Sequence, residues 1–173
     1  LGRVSGPDGL PGVNDFVYQW GEKILGKGMV WAKDTPNFIG NRIGVELICE
    51  AFKLIEAGLA SIPEADAMFA KPMGMPGTAI FGLADFVGND TIDHIAHNSY
   101  ELLTKDEYRE IYKTPAFFNT MMDKKMYGNK TKDAGGFYLS GKGADGKKFK
   151  KVLDIKTCQH VDYDTKATYP VVE

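Results

Sequence analysis

The chain has 173 residues and a mass of 19.1 kDa, enough for one compact domain with attached pieces and too little for two full enzyme domains. Hydrophobic residues at 43% and charged residues at 25% match an ordinary globular protein with a real core, which excludes disorder as the dominant state. With 21 basic against 23 acidic residues the formal charge is -2, so there is no global basic field to hold nucleic acid.

No apolar run is long enough to cross a bilayer, and Leu1 to Pro11 shows neither a basic start nor an apolar centre, so no membrane span and no secretion signal are expected. Cys49 lies in an apolar helical pattern and Cys158 far away in a polar tail. Two free thiols in a reducing compartment, the cytoplasm, are therefore expected in preference to a disulfide. In that compartment the glycosylation-like triplets at Asn89 and Asn129 carry no meaning.

Gly2 to Pro11 is rich in Gly and Pro and reads as irregular, and Asp15 to Leu25 reads as a helix ended by Gly26. Gly28 to Ala32 is strand-like but isolated, the torn edge of a sheet belonging to another domain. Pro36 is placed as a first-turn residue, with Thr35 as N-cap, of a long helix reaching about Ala57 and stopped by Gly58. Two apolar rows, Ile43, Leu47, Ala51, Leu54 and Gly44, Ile48, Phe52, Ile55, predict burial over most of its circumference.

Ser61-Ile-Pro-Glu64 has the spacing of a capping box, and Thr104-Lys-Asp-Glu107 repeats it. Helical patterns cover Ala79 to Val87 and Thr91 to Leu103, separated by Gly88 with Asp90 as cap, and Thr114-Pro115 opens a last helix to about Met126. Residues 36 to 127 thus read as an all-helical bundle. Beyond Gly128, alternating segments around Phe137 to Leu139 and Phe149 to Leu153, with a turn at Asp145-Gly146, predict a β-hairpin followed by an extended tail.

Few motifs carry chemistry. Gly141 to Lys147 fits the first seven positions of a phosphate-binding loop, but Lys148 stands where a Ser or Thr should hold magnesium and a strand follows where a helix is needed, so a hairpin turn is expected. His94 and His97 are three apart without a third ligand, and read as a surface pair; His160 sits in the tail without carboxylate company. Nine lysines between Lys124 and Lys151 suit a solvated basic face or attraction for the phosphates of an anionic substrate such as a coenzyme A ester. On periodicity alone Asn41 and Arg42 belong to the polar stripe of the long helix.

The string Lys33-Asp-Thr-Pro-Asn-Phe-Ile-Gly-Asn-Arg42 resembles the signature that opens the C-terminal helical domain of the 3-hydroxyacyl-CoA dehydrogenases. Three further matches follow in family order: Glu50-Ala51 through Glu56 to Ser61, Phe81 to Gly88, and Gly128 to Thr131 leading to Gly136-Phe137-Tyr138. The resemblance implies a mainly α fold, a helical bundle of the 6-phosphogluconate dehydrogenase C-terminal-like type, with a residual helix and strand before it and a hairpin after it. It divides the chain into 1–33, the last helix and strand of an NAD-binding domain, 34–138, the helical domain, and 139–173, a hairpin and connector tail.

By the same resemblance, the activity is NAD-dependent oxidation of L-3-hydroxyacyl-CoA in fatty-acid β-oxidation, and Asn41 matches the family's active-site asparagine. Phe81 is implied as a wall for the acyl chain or as core, and Arg42 as an anchor of the cleft. NAD and the catalytic His-Glu pair belong to the preceding domain, so none of the three histidines here stands in for the base and the isolated chain should be inactive. The implied partners are the acyl-CoA substrate, that NAD-binding domain and a second copy of the helical domain as a homodimer. A non-catalytic dimerisation or scaffold module is the alternative. Two departures stand out: Asn37 replaces the usual Gly after Pro36, and the Pro76 to Asp85 stretch is one residue longer than in short single-function members. The latter resembles the long multifunctional branch, in which a tail such as this leads to an enoyl-CoA hydratase domain.

Overall fold

A computed structural model describes residues 2–3, 12–143 and 145–169. Most of the irregular segment expected up to Pro11 lies outside these residues, as do Ala144 in the hairpin turn and the last four positions of the tail. The chain forms two compact units, Leu1–Gly44 and Val45–Glu173.

In the first unit β2 (Val30–Trp31) pairs in parallel with β1 (Gly2–Arg3), so the expected strand is not isolated, although the pairing covers only two residues on each side. Helix α1 (Val13–Gln19) begins earlier than Asp15 because Gly12, at φ 81°, turns the chain into it. It continues as a π-helical turn, Trp20–Ile24, and Gly26 at φ 60° stops it, as expected. Tyr18 ties this helix to the strand: its ring stacks on Trp31 at 5.7 Å and its hydroxyl donates to Met29 O at 3.3 Å. No residue of α1 is buried, and Val13, Phe16, Trp20 and Ile24 form an exposed apolar stripe at helical spacing.

Helix α2 (Gly40–Glu56) starts four residues after Pro36, which corrects the expected first turn. Asn37 at φ 64° and Phe38 at φ 50° both sit in the left-handed region, so the backbone reverses hand before the helix can begin, and Thr35 O closes a turn with Phe38 N–H at 3.0 Å. At the other end Gly58 (φ 68°) and Leu59 donate back to Ile55 O and Leu54 O at 3.1 and 3.0 Å, the paired bonds of a Schellman stop. Only one face of the helix is buried. Val45, Ile48, Cys49, Ala51, Phe52 and Ile55 point into the core, whereas Leu47 and Leu54 are half-buried and Ile43 is exposed, so the second apolar row is the core row.

The second unit packs α3 (Ile62–Phe69), α4 (Phe81–Val87), α5 (Asn89–Leu102) and α6 (Ala116–Asp123) around that face of α2. Phe52 is the centre, with the rings of Phe81, Phe117, Phe118 and Phe137 all 4.6 to 6.2 Å from its own. The capping box at Ser61 forms as expected: Ser61 N–H donates to Glu64 Oε2 at 2.8 Å, and Glu64 N–H to Ser61 Oγ at 3.4 Å. Its expected repeat at Thr104 does not. Asp106 Oδ1 accepts Tyr108 N–H at 2.9 Å instead, and the short run before Pro115 closes as a 3₁₀ turn, Arg109–Tyr112. Helix α4 begins at Phe81 rather than Ala79, whose φ of 54° is left-handed, and its amides are capped from a distance. Asp66 on α3 accepts Ile80, Phe81 and Gly82 N–H at 3.0, 2.7 and 3.3 Å. Gly88, not Asp90, precedes α5, and Asp90 pairs with Lys130 at 2.7 Å.

The expected hairpin is present as β3 (Tyr138–Lys142) and β4 (Lys148–Asp154), but the tail is not simply extended. A third strand, β5 (Gln159–Asp162), pairs antiparallel with β4 and makes a three-stranded meander. The turn between them has no Gly; Asp154 builds it by accepting Lys156 N–H and Thr157 Oγ1–H at 3.0 and 2.9 Å, and Cys158 takes φ 51°. Val152, Leu153 and Cys158 join the same core as the helices.

Asp85 fastens the sheet to the helices. Buried on α4, its carboxylate accepts Phe137 N–H at 2.9 Å, Tyr138 N–H at 2.8 Å and Asn89 Nδ2–H at 3.0 Å, and Asn89 also donates to Met126 O at 3.0 Å. Asp66 accepts the Tyr138 hydroxyl at 2.8 Å alongside. Burial pushes Asp85 up to about 6 despite these bonds, and pushes Asp66 up as well. A carboxyl whose pKa is higher folded than unfolded binds protons more tightly in the native state, so its contribution to stability is fullest below about pH 4 and is lost as pH rises to about 6. For Asp85 the loss is about 3 kcal/mol in magnitude. Glu64 and Asp90, both held low by their hydrogen bonds, act in the opposite sense and lose their contribution as pH falls. Chemical denaturation at pH 4 and pH 7 should therefore show Asp85→Asn gaining stability with pH relative to the parent; identical pH profiles would refute the assignment.

Candidate functional site

The left-handed pair Asn37-Phe38 ends the approach to α2 and lets the helix begin at Gly40, which places Asn41 in its first turn. Asn41 is exposed, and exposed apolar side chains flank it in sequence, Phe38 at 47%, Ile39 at 42% and Ile43 at 55%. An amide fixed on a helix amid exposed apolar groups can donate to, or accept from, an oxygen of a ligand whose remainder is apolar. Arg42 beside it is half-buried and engaged in interactions of its own. Asn37, singled out because it replaces a Gly, occupies the left-handed geometry that only such residues take readily.

Phe81 is elsewhere in character. It is fully buried, with its ring 6.2 Å from Phe52 and 4.7 Å from Phe137, so it presents no face to a ligand and acts as core. His94 and His97 are both exposed on α5, and Asn98 Nδ2 lies 3.0 Å from His94 Nε2. His160 is drawn into β5, where its Nε2 lies 2.8 Å from Gly136 O and burial lowers its pKa. Both cysteines are buried free thiols; burial pushes Cys49 up to about 12, which makes it inert as a nucleophile.

Two arrangements for a bound phosphate or dinucleotide are decided by geometry. Gly141, Gly143 and Gly146 lie in the β3–β4 hairpin, where Gly143 N–H donates to Lys147 O at 2.8 Å, and a strand follows. A phosphate-binding loop needs a helix N-terminus at that point. NAD needs a parallel sheet that delivers a Gly-rich turn to such a helix, and among the described residues the parallel pairing is two residues long. Among the described residues no such arrangement is present.

Sequence reasoning missed Asp66, Asp85 and Asn89. The last was seen only as part of a glycosylation-like triplet, yet it is fully buried, and its Oδ1 is a buried acceptor without a donor among the described residues. One of its two partners, Met126 O, lies 37 residues away, and the other, Asp85, is itself held to Phe137 N–H 52 residues along the chain, which no local pattern announces.

Residues 38–139, more than half of the chain, match the family model described as 3-hydroxyacyl-CoA dehydrogenase, C-terminal domain. The chain belongs to this family. The 3-hydroxyacyl-CoA dehydrogenase C-terminal domain so defined takes in Asn41, Arg42 and Phe81 and ends as β3 begins, which leaves most of the β-sheet outside it. Among relatives, the chain is 39% identical over 128 residues to a Bacillus subtilis protein named "Probable 3-hydroxyacyl-CoA dehydrogenase", covering 74% of this chain and 16% of that one. It is 35% identical over 116 residues to the mitochondrial hydroxyacyl-coenzyme A dehydrogenase of Sus scrofa, covering 67% of this chain and 35% of that one. The structure of (S)-3-hydroxybutyryl-CoA dehydrogenase PaaH1 from Ralstonia eutropha superposes with a TM-score of 0.64 at 27% identity, over 76% of this chain and 44% of that one. The chain thus spans between a sixth and a half of the relatives it matches.

Proposed function

We propose that this chain is the helical part of an NAD-dependent enzyme that oxidises L-3-hydroxyacyl-CoA esters to 3-ketoacyl-CoA in fatty-acid β-oxidation. The observation that carries the reading is Asn41, presented to solvent on the first turn of α2 inside the span that matches the family. Its amide holds the substrate oxygen at C3 and stabilises the charge that grows there, while proton and hydride transfer belong to the domain that binds NAD.

Residues 1–33 are the last helix and strand of that NAD-binding domain, 34–138 the substrate-side helical domain, and 139–173 the hairpin and its connector. The exposed stripe Val13, Phe16, Trp20 and Ile24 supports the first assignment, because a helix with four large apolar groups in water is built to be covered. A second copy of the chain is a further partner, through apolar groups left exposed on the second unit such as Phe86 and Leu102. The two buried free thiols suit a reducing compartment such as the cytoplasm.

Calorimetric titration of the 173-residue chain with NAD should give no binding heat, and the protein that includes the NAD-binding domain should reduce NAD with an L-3-hydroxyacyl-CoA. Micromolar NAD binding by the chain alone, or an inactive full-length protein that binds NAD and is well folded, would overturn the proposal. Light scattering over a concentration series should show a dimer; a strict monomer would remove the second-copy partner.

A further inference from the structure

The proposed function leaves β3 with an open edge. In the order β3-β4-β5 its far side carries no neighbouring strand among the described residues. Leu153 N–H donates to Phe137 O and Gly143 N–H to Lys147 O at 2.8 Å each, so the odd-numbered residues of β3 bond to β4. By alternation the even-numbered ones turn their backbone groups outward. Those of Tyr138 are taken, its N–H by Asp85 Oδ2 at 2.8 Å and its O by Gly136 N–H at 3.1 Å. The N–H and C=O of Ser140 and Lys142 meet no partner among the described residues. Such a row of unpaired backbone groups is a template for one more strand.

A cleft of about 710 Å³ runs along that edge. Every residue from Tyr138 to Lys142 lines it, and because neighbours in a strand send their side chains to opposite faces, what they share there is the backbone. The opposite wall is the loop from Gly128 to Gly135, braced by Gly128 N–H on Gly135 O at 2.8 Å and Gly135 N–H on Thr131 O at 2.7 Å. A fixed wall beside a strand edge favours a single extended segment over the edge of a second sheet. The two sides of such a segment meet different chemistry. Phe149 lies opposite Gly141, its ring 2.8 Å from the place a Cβ would take there, and with Leu139 it makes that face of the sheet apolar at the cleft. The other face carries Lys142 and, directly opposite it, Lys148. Both are exposed and have no carboxylate within 4.0 Å among the described residues.

We propose that β3 takes up one extended, acidic segment of a partner protein as an added strand, antiparallel along Ser140 to Lys142. Backbone bonds to Ser140 and Lys142 supply affinity, and alternate side chains supply selectivity. Residues opposite Ser140 and Lys142 send their side chains to the lysine face, where an Asp or Glu stands beside Lys142. The residue between them falls on the Phe149 face, which suits an apolar side chain. The pattern recognised is therefore acidic-apolar-acidic. Charge on a larger scale has the same sign: from Lys124 to Lys151 there are nine lysines against Asp133 and Asp145, in a chain whose net charge is -2. An edge lysine discourages pairing between like strands and leaves an acidic one favoured. For the same reason a second copy is disfavoured as the occupant, since pairing β3 with β3 puts Lys142 and Lys148 of both copies on one face. Most of the hairpin lies beyond the span that matches the family, and Asn41 has no part in it, so this proposal and the proposed reaction fail separately.

The test is amide NMR on the 173-residue chain at low ionic strength, titrated with the synthetic peptide acetyl-Glu-Val-Glu-Val-Glu-amide. Roughly millimolar binding is expected, with shifts at Ser140, Gly141 and Lys142 that diminish as salt is raised. Hydrogen exchange at the Ser140 and Lys142 amides should slow in the complex. The same peptide with its Glu backbone nitrogens methylated, and a counterpart with Lys in place of Glu, should each bind at least about tenfold more weakly. Lys142→Glu should shift the preference between the acidic and the basic peptide toward the basic one by about three- to tenfold. The new carboxylate faces Lys148 across the hairpin, so the sheet is kept, and unmoved amide shifts in β5 report that it is. No binding of the acidic peptide, equal binding of the basic or the methylated one, or a Lys142→Glu chain with an intact sheet and the parent's preference would overturn the proposal. So would protection of the Ser140 amide that grows with protein concentration alone, which identifies a second copy as the occupant.

Discussion

Asn41→Ala in the full-length protein is expected to lower kcat roughly a hundred- to a thousandfold while the melting temperature and NAD affinity stay nearly unchanged. An amide aimed at the reacting oxygen forms a stronger hydrogen bond as negative charge accumulates there, so its loss costs more in the transition state than in the ground state. One such donor is worth about 2.7–4 kcal/mol. The structure makes the stability half of the expectation firm: Asn41 is exposed in the first turn of α2, where truncation to Ala removes no buried contact and helix propensity favours Ala. Steady-state kinetics with an L-3-hydroxyacyl-CoA, paired with melts of the same preparation, decides it. A well-folded variant with unchanged kcat would leave the helical domain as a scaffold with no part in the chemistry.

Gly136→Ala is expected to cost about 3–5 kcal/mol, lowering the melting temperature by about 10 °C or more. A Cβ at Gly136 would stand 1.9 Å from Asp85 Oδ1 and 2.7 Å from Asn89 Nδ2. Neither neighbour can retreat cheaply. The Asp85 carboxylate holds two backbone amides of Phe137 and Tyr138, and Asn89 is tied to Met126 O, so any shift strands buried donors at about 1–3 kcal/mol each. The same substitution at Gly44 should have the opposite sign. Nothing lies within 4 Å of the place a methyl group would take there, and in a helix Ala exceeds Gly by about 0.5–1 kcal/mol. Urea denaturation of both variants checks the contrast; a Gly136→Ala protein as stable as the parent would mean that Asp85 does not fasten the sheet.

Local signals in the sequence determined much of the helical domain. Gly58 stopping α2, the capping box at Ser61, the Thr114-Pro115 start of α6 and the β3–β4 hairpin all depend on residues within a few positions of the helix end or turn they form. The resemblance around Lys33 to Arg42 likewise led to the family, which the match over residues 38–139 bears out, and to Asn41, whose part in the chemistry is a proposal. The starts of α2 and α4 were misplaced because Phe38 and Ala79 adopt left-handed geometry that their side chains do not advertise. Tertiary structure alone decided the rest. Phe81 became core because it converges on Phe52 together with Phe117, Phe118 and Phe137, and β5 formed because Asp154 builds a turn from side-chain bonds without a Gly. Asp66 caps a helix 14 to 16 residues away, and Asp85 reaches amides 52 and 53 residues along the chain. A carboxylate in a sequence carries no mark of which distant amide it will meet; that depends on the core bringing the two together, and only once burial has removed water does the bond become obligatory.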